Sequence, residues 1–305
     1  MPDPLVSWSI ASGAALVVAA ACAGAAMAVR GSTAVPAAVW GVLAAVAFAV
    51  ETGCRAAGGL TDPAAGAAAR LAVTALAVCP AMALLGAKRP QHGAWQFIVA
   101  ALAVVIALPA VSAALVRPGT MPDVGLLWRA FLLVLVAVGW MNFVATRQGV
   151  AASLVACGQL LVIRSFLPFS EAAPAAGSGP DASAAAVDAV AACLIAAGAV
   201  VAAVRAATAR GLAAGVDAGI ERPFLALRET LGAAWALRIA ERFNAVAVER
   251  GWPCRLRFAG LEPAGADGPW RADAERAFRA LARRFASADW LRRHSGGRNA
   301  DGPHE

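Results

Sequence analysis

The sequence predicts an all-α membrane protein, a bundle of about seven transmembrane helices with a small, mostly helical C-terminal cytoplasmic region. Three observations predict it. Of the 305 residues, 60% are hydrophobic and 15% charged, and the mean hydropathy is +0.68, whereas ordinary globular chains are roughly 45–50% apolar and about 25% charged. Apolar stretches close to the ~20 residues that cross a ~30 Å hydrocarbon layer recur through residues 1–205. Of the 26 basic residues, 16 fall within residues 206–305, so the water-facing part lies at the end of the chain. Disorder, collagen and a disulfide scaffold are excluded by the same composition.

The spans follow in order. Residues 10–29 form the first, and the preceding MPDPLVSWS lacks the basic region of a secretory signal, so this span reads as uncleaved. The second, 34–50, has Pro36 near its start, where proline is tolerated. The third, 71–87, is short and contains Pro80, whereas the fourth, 95–116, opens on an interfacial Trp95 and contains Pro109. The fifth, 124–145, has Arg129 near one end and the sixth, 150–167, has Arg164 near the other. The seventh, 183–204, carries Asp188 and is rich in Ala, which contributes less insertion energy than Leu, Ile or Phe. Residues 171–182, EAAPAAGSGPDA, read as a solvated connection.

Seven spans put the chain ends on opposite sides. Basic residues in the short connections divide evenly, and the arginines following the last span place the C-terminus in the cytoplasm of a cell (inner) membrane and the N-terminus outside. In that arrangement Glu51, Arg70, Arg129, Arg164 and Asp188 form a candidate charged outer cluster. Ionisable groups in spans face a bundle interior or wet cavity and mark ion or substrate paths, or they pair with one another. Arginine forks suit a carboxylate or phosphate, with Glu51 and Asp188 as counter-ions. The competing reading is structural pairing and snorkelling of long arginines near helix ends. Asn142 and Gln159 are deeper and read as hydrogen-bonding groups between helices.

The cysteines are scattered, mostly within apolar runs, and read as structural thiols. No nucleotide-binding, nucleophile-elbow, zinc-protease or metal-ligating spacing occurs, so no cofactor, metal or catalytic residue is assigned.

Beyond the last span, Phe224, Leu227, Leu231, Trp235, Ile239, Phe243 and Val246 recur at helical steps, predicting a long amphipathic helix over 221–250. A short strand is predicted near 254–259 and a second helix over 269–293, whose Arg276, Arg279, Arg283 and Arg284 suit anionic lipid headgroups. Residues 294–305 read as a disordered tail. The whole region needs a surface to dock on, be it the bilayer, its own bundle or a protein partner. The bilayer anchor and mixed charges argue against nucleic acid.

Leu85 to Gln91 (LGAKRPQ), Trp95 to Val99, Asn142 to Arg147 and WALRIAERFNAVAVERGW over 235–252 resemble an uncharacterised multi-pass membrane protein family of planctomycete-type bacteria. The resemblance implies a membrane location and no activity. The functions that fit are a permease for a small anionic solute, an envelope structural or assembly protein whose C-terminal region recruits a partner, and a membrane-embedded enzyme acting on lipid-linked anions.

Overall fold

A computed structural model describes residues 4–88, 92–167, 182–212, 219–262 and 268–295. The first part of the chain forms α1 (Pro4–Ala28), α2 (Val35–Ala56), α3 (Pro63–Ala77), α4 (Cys79–Leu85), α5 (His92–Val111), α6 (Leu126–Val144), α7 (Gly149–Val162) and α8 (Ala182–Leu212). Six helices among the described residues are long and apolar enough to cross a membrane, with α3 and α4 counted as one. All-α membrane architecture is therefore the fold class.

Two boundaries differ from the sequence reading. The third span starts at Pro63 instead of residue 71, because Asp62 caps it, accepting from the amides of Ala64 (3.2 Å) and Ala65 (3.1 Å). Proline just inside a helix start and an aspartate before it are a strong initiation signal. The predicted span over 150–167 is helical only through Val162, giving 14 residues or about 21 Å. A 3₁₀ turn at Arg164–Phe166 follows, and Leu167 is extended. Pro168 explains that conformation, since the residue before a proline is driven out of the helical region.

The helices close a ring. α1 packs between α2 and α8, α7 between α8 and α6, and α4 between α6 and α2, while α5 lies outside against α3. Small residues set the spacing, because helices in lipid are held by close packing. A Cβ on Gly158 would lie 2.8 Å from the Ala191 carbonyl oxygen, and one on Gly198 would lie 2.9 Å from that of Ala151, so α7 and α8 meet backbone to backbone. At Val78 the third span breaks into α3 and α4, before Pro80, and Gln159 of α7 donates to the Ala77 carbonyl there at 2.9 Å. A side chain from a neighbouring helix thereby takes up a carbonyl at the break.

The C-terminal unit contains α9 (Glu221–Leu231), α10 (Ala233–Glu249), strands β1 (Arg255–Arg257) and β2 (Gly260–Glu262), α11 (Arg271–Ala282) and α12 (Ala288–His294). Each predicted element is subdivided here. Gly232 at φ +87° separates α9 from α10, Gly260 at φ +147° turns β1 back as an antiparallel hairpin, and Ser287 caps α12 by accepting from the Trp290 amide. Phe224, Phe243, Phe278 and Trp290 are fully buried in its core. Arg276 pairs with Asp273, and Arg279 with Glu275, along α11. The hydrogen bond from Arg250 holds the Asp273 carboxyl below the usual carboxylate range and ties α11 to the end of α10. Apart from His294 and Ser295, the predicted tail lies outside the described residues.

This unit docks on its own bundle. Thr33 accepts nothing from it but donates twice: its amide bonds the Phe285 carbonyl at 2.8 Å and its hydroxyl reaches the same oxygen at 3.1 Å and that of Ala87 at 2.9 Å. Trp235 Nε1 donates to the Leu84 carbonyl at 2.7 Å, and Ser287 N to that of Gly31 at 2.7 Å. The α1–α2 connection, the end of α4 and the α6–α7 connection therefore share one face of the bundle with the C-terminal unit. Asn142 at the end of α6 holds the α9–α10 break, donating to the Leu231 carbonyl and accepting from the Ala234 amide, both at 3.0 Å.

Two outcomes follow from this packing. Gly198→Leu should separate α7 from α8 and lower the yield of monodisperse protein in detergent severalfold, whereas Gly13→Leu, which has open space around it, should not. Asn142→Leu should raise hydrogen exchange across residues 221–250 while leaving α1 to α5 protected, because it removes both bonds that hold the Gly232 break.

Candidate functional site

The strongest polar feature of the bundle is a line of alternating charges near the face opposite the docked unit. Glu51 sits near the end of α2, Arg70 about two turns into α3, and Asp188 about two turns into α8. The Arg70 guanidinium lies between the carboxylates. Its Nε donates to Glu51 at 3.0 Å, its Nη1 to Asp188 at 2.8 Å, and its Nη2 to Glu51 at 3.0 Å and Asp188 at 2.6 Å. The side chain of Arg70 is 7% exposed and each carboxylate 2%. Arg164 extends the line, donating to Asp188 at 2.6 Å and to the Leu161 carbonyl at 2.9 Å. At the other end Arg55 bonds Glu51 at 2.6 Å and the Gly66 carbonyl at 2.9 Å. Rings lie beneath two of the cations: Trp8 is 5.4 Å from Arg55 and Phe48 is 5.3 Å from Arg70.

Of the residues singled out in sequence, the structure joins Glu51, Arg70, Arg164 and Asp188. Arg129 is held separately, donating to the Val124 carbonyl at 2.9 Å and to that of Leu167 at 3.3 Å, so it fastens the start of α6 to the turn after α7. Asn142 and Gln159 both bond between elements, Asn142 to the C-terminal unit and Gln159 to the α3–α4 break. Arg55 is the member that sequence reasoning missed. Its position four residues after Glu51 on one helix is the signal that pointed to it.

Chemically, three guanidiniums and two carboxylates saturate one another. Four of Arg70's five donor positions are engaged, and its two anions each receive two cations. The arrangement is a crosslink of α2, α3, α7 and α8.

Inside the ring, on the docked side of these charges, is a cavity of about 1060 Å³. Phe48, Val162 and Ala192 bound it beside the charged line, and Ala, Gly and Val from α1, α2, α6, α7 and α8 form most of its wall. Its other end is different. Arg147, Arg205, Arg222, Arg228 and Arg293 line it there, with Glu229 as the acidic member, between the α6–α7 connection, α8, α9 and α12. Asp188 and Arg205 are 17 residues apart on α8, about 25 Å of rise, which is close to the ~30 Å of a hydrocarbon core. The cavity thus has an apolar body at membrane depth and a cationic mouth at one edge.

Comparison with known protein families, curated proteins and solved structures finds no match, so the functional reading rests on this geometry.

The charged line generates a prediction about pairing. Arg70→Gln leaves two buried carboxylates facing each other and should destabilise the bundle by about 3–5 kcal/mol, read as a lower melting temperature in detergent. The triple variant Glu51→Gln, Arg70→Gln, Asp188→Asn, which removes the charges together, should melt above the single variant. Equal or greater damage in the triple variant would mean that the line does more than pair.

Proposed function

We propose that the protein is a membrane-embedded carrier for an amphiphilic anion, with the C-terminal unit on the cytoplasmic side of the cell membrane and the N-terminus outside. The observation that carries this reading is the cavity, whose wall is apolar through the depth of the bilayer and whose mouth holds five arginines against one glutamate. A small hydrophilic anion would exchange water for alanine and valine along most of that path, a costly transfer without hydrogen-bonding partners. An anion with an apolar tail meets suitable surroundings at both ends. The volume is at the upper limit of common small-molecule pockets, roughly 300–1,000 Å³.

The permease reading made from sequence is thereby refined in its cargo and in the location of its anion contacts, which move from the outer charged line to the opposite end of the ring. A partner-recruiting scaffold has less support, because the apolar faces of α9 to α12 are covered by one another and by the bundle.

Native mass spectrometry of the full chain, purified in mild detergent, tests the proposal. An anionic amphiphile should accompany the wild-type protein at near one per chain. Ala152→Phe with Ala202→Phe, which fills the cavity from α7 and α8, should lower that occupancy severalfold while the protein stays monodisperse. A wild-type protein free of amphiphile, or filled variants that retain it fully, would defeat the reading.

A further inference from the structure

A second depression lies on the bilayer side of α6, α7 and α8. This groove, about 650 Å³, has a wall of Val144, Val150, Leu154, Cys157 and Leu194. Ser153 lies in it, and its docked-face end is formed by Arg147 and Arg205. Those two arginines also line the mouth of the internal cavity. Groove and cavity are therefore back to back, separated at the level of the lipid headgroups by one pair of side chains and the α6–α7 connection.

The separating element is itself a hydrogen-bonded link. A guanidinium nitrogen of Arg205 donates to the backbone carbonyl of Arg147, fastening the α6–α7 connection to α8. The backbone amide of the same residue donates to Glu229 on α9 at 3.0 Å. Arg147 is thus held by its backbone from both sides, and its exposed side chain bears on the groove and the mouth together. Deeper in the membrane the route is closed, because α7 and α8 meet without room for a Cβ at Gly158 or Gly198. Lateral passage is confined to the headgroup level.

We infer that this groove is where the carrier takes its cargo from the leaflet on the docked side, and that the cargo is a phosphate-bearing anionic lipid. The inference rests on the carrier reading above and supplies its substrate class. The apolar wall lies along the direction of an acyl chain, and the two guanidiniums stand where a headgroup phosphate lies. Arginine forks match phosphate oxygens in shape and charge. A phosphate bridging Arg147 and Arg205 draws the Arg205 guanidinium from the Arg147 carbonyl, which frees the α6–α7 connection and lets the tail pass from groove to cavity. Glu229 couples that release to the C-terminal unit.

The test separates loading from holding. The full chain is placed in nanodiscs of phosphatidylcholine containing tail-labelled phosphatidylglycerol, and protein-bound label is followed in time and at its plateau. Cys157→Trp fills the groove from a position that does not line the cavity, and should slow loading about tenfold or more while leaving the plateau unchanged. Arg147→Gln with Arg205→Gln should lower both, the plateau by about tenfold, the factor that corresponds to losing one charge-assisted contact. Labelled phosphatidylcholine should bind far less than labelled phosphatidylglycerol. Loading at the wild-type rate in Cys157→Trp would overturn the groove as the route while leaving the carrier reading intact. Equal uptake of both lipids would overturn the phosphate assignment, and displacement of the label by millimolar inorganic phosphate would show that the mouth takes the free ion instead. A wild-type chain that binds no labelled lipid, and carries no amphiphile when purified, would remove the carrier reading and this inference together.

Discussion

One guanidinium held between two carboxylates inside a lipid-facing bundle sets the terms for the remaining structure. Arg70 comes from a helix on one side of the ring, Glu51 from its neighbour and Asp188 from a helix on the far side, so pairing requires all three to converge at one depth. A charge in hydrocarbon has few ways to be satisfied. Because each carboxylate is also bonded by a second arginine, Arg55 or Arg164, there is little latitude in how these helices rotate. The pairing adds modest net stability against an apolar replacement. It specifies which neighbours the helices take, and the ring follows from that choice.

Small side chains complete what the ion pairs begin. Alanine and glycine let α7 and α8 come together at the backbone, and the same residue types on the inward side fail to fill the middle of the ring. Large aromatic groups are used elsewhere. The C-terminal unit concentrates Phe224, Phe243, Phe278 and Trp290 in its own core, and its helices close the ring at one end. An open interior between a sealed outer end and a cationic inner end is thus a product of composition at two scales.

Much of the fold is legible in the sequence, for reasons that differ by element. Long uncharged runs identify helices because the backbone has no other way to satisfy its hydrogen bonds in lipid. The start at Pro63 was also written in the chain, as Asp62 and Pro63 before an alanine run, but the hydropathy pattern drew the boundary to residue 71. Pro168 similarly marks where α7 ends. In the C-terminal unit the apolar repeat ran through Gly232 without interruption, so periodicity alone gave one helix where a positive φ makes two. Glu51, Arg70, Arg164 and Asp188 stand out because ionisable residues are rare in spans, yet their partners depend on ring order, which no local pattern encodes. The cavity and the mouth were invisible for the same cause. Arg147 and Arg205 looked like ordinary flanking charges, and Arg222, Arg228 and Arg293 like parts of a solvated surface.

The docking of the C-terminal unit bears on how the chain is made. Its anchor points are Gly31 and Thr33, Leu84 and Ala87, and Asn142, three places that leave the ribosome well before α9 begins. They gather on one side only when every intervening segment has threaded the bilayer in the right sense. A nascent protein with one segment inverted therefore offers its last-made helices an incomplete platform, and Trp235 and Phe285 are left uncovered for proteolytic surveillance. The final ninety residues act as an inspector of topology, sealing the molecule after its membrane part has been correctly laid down.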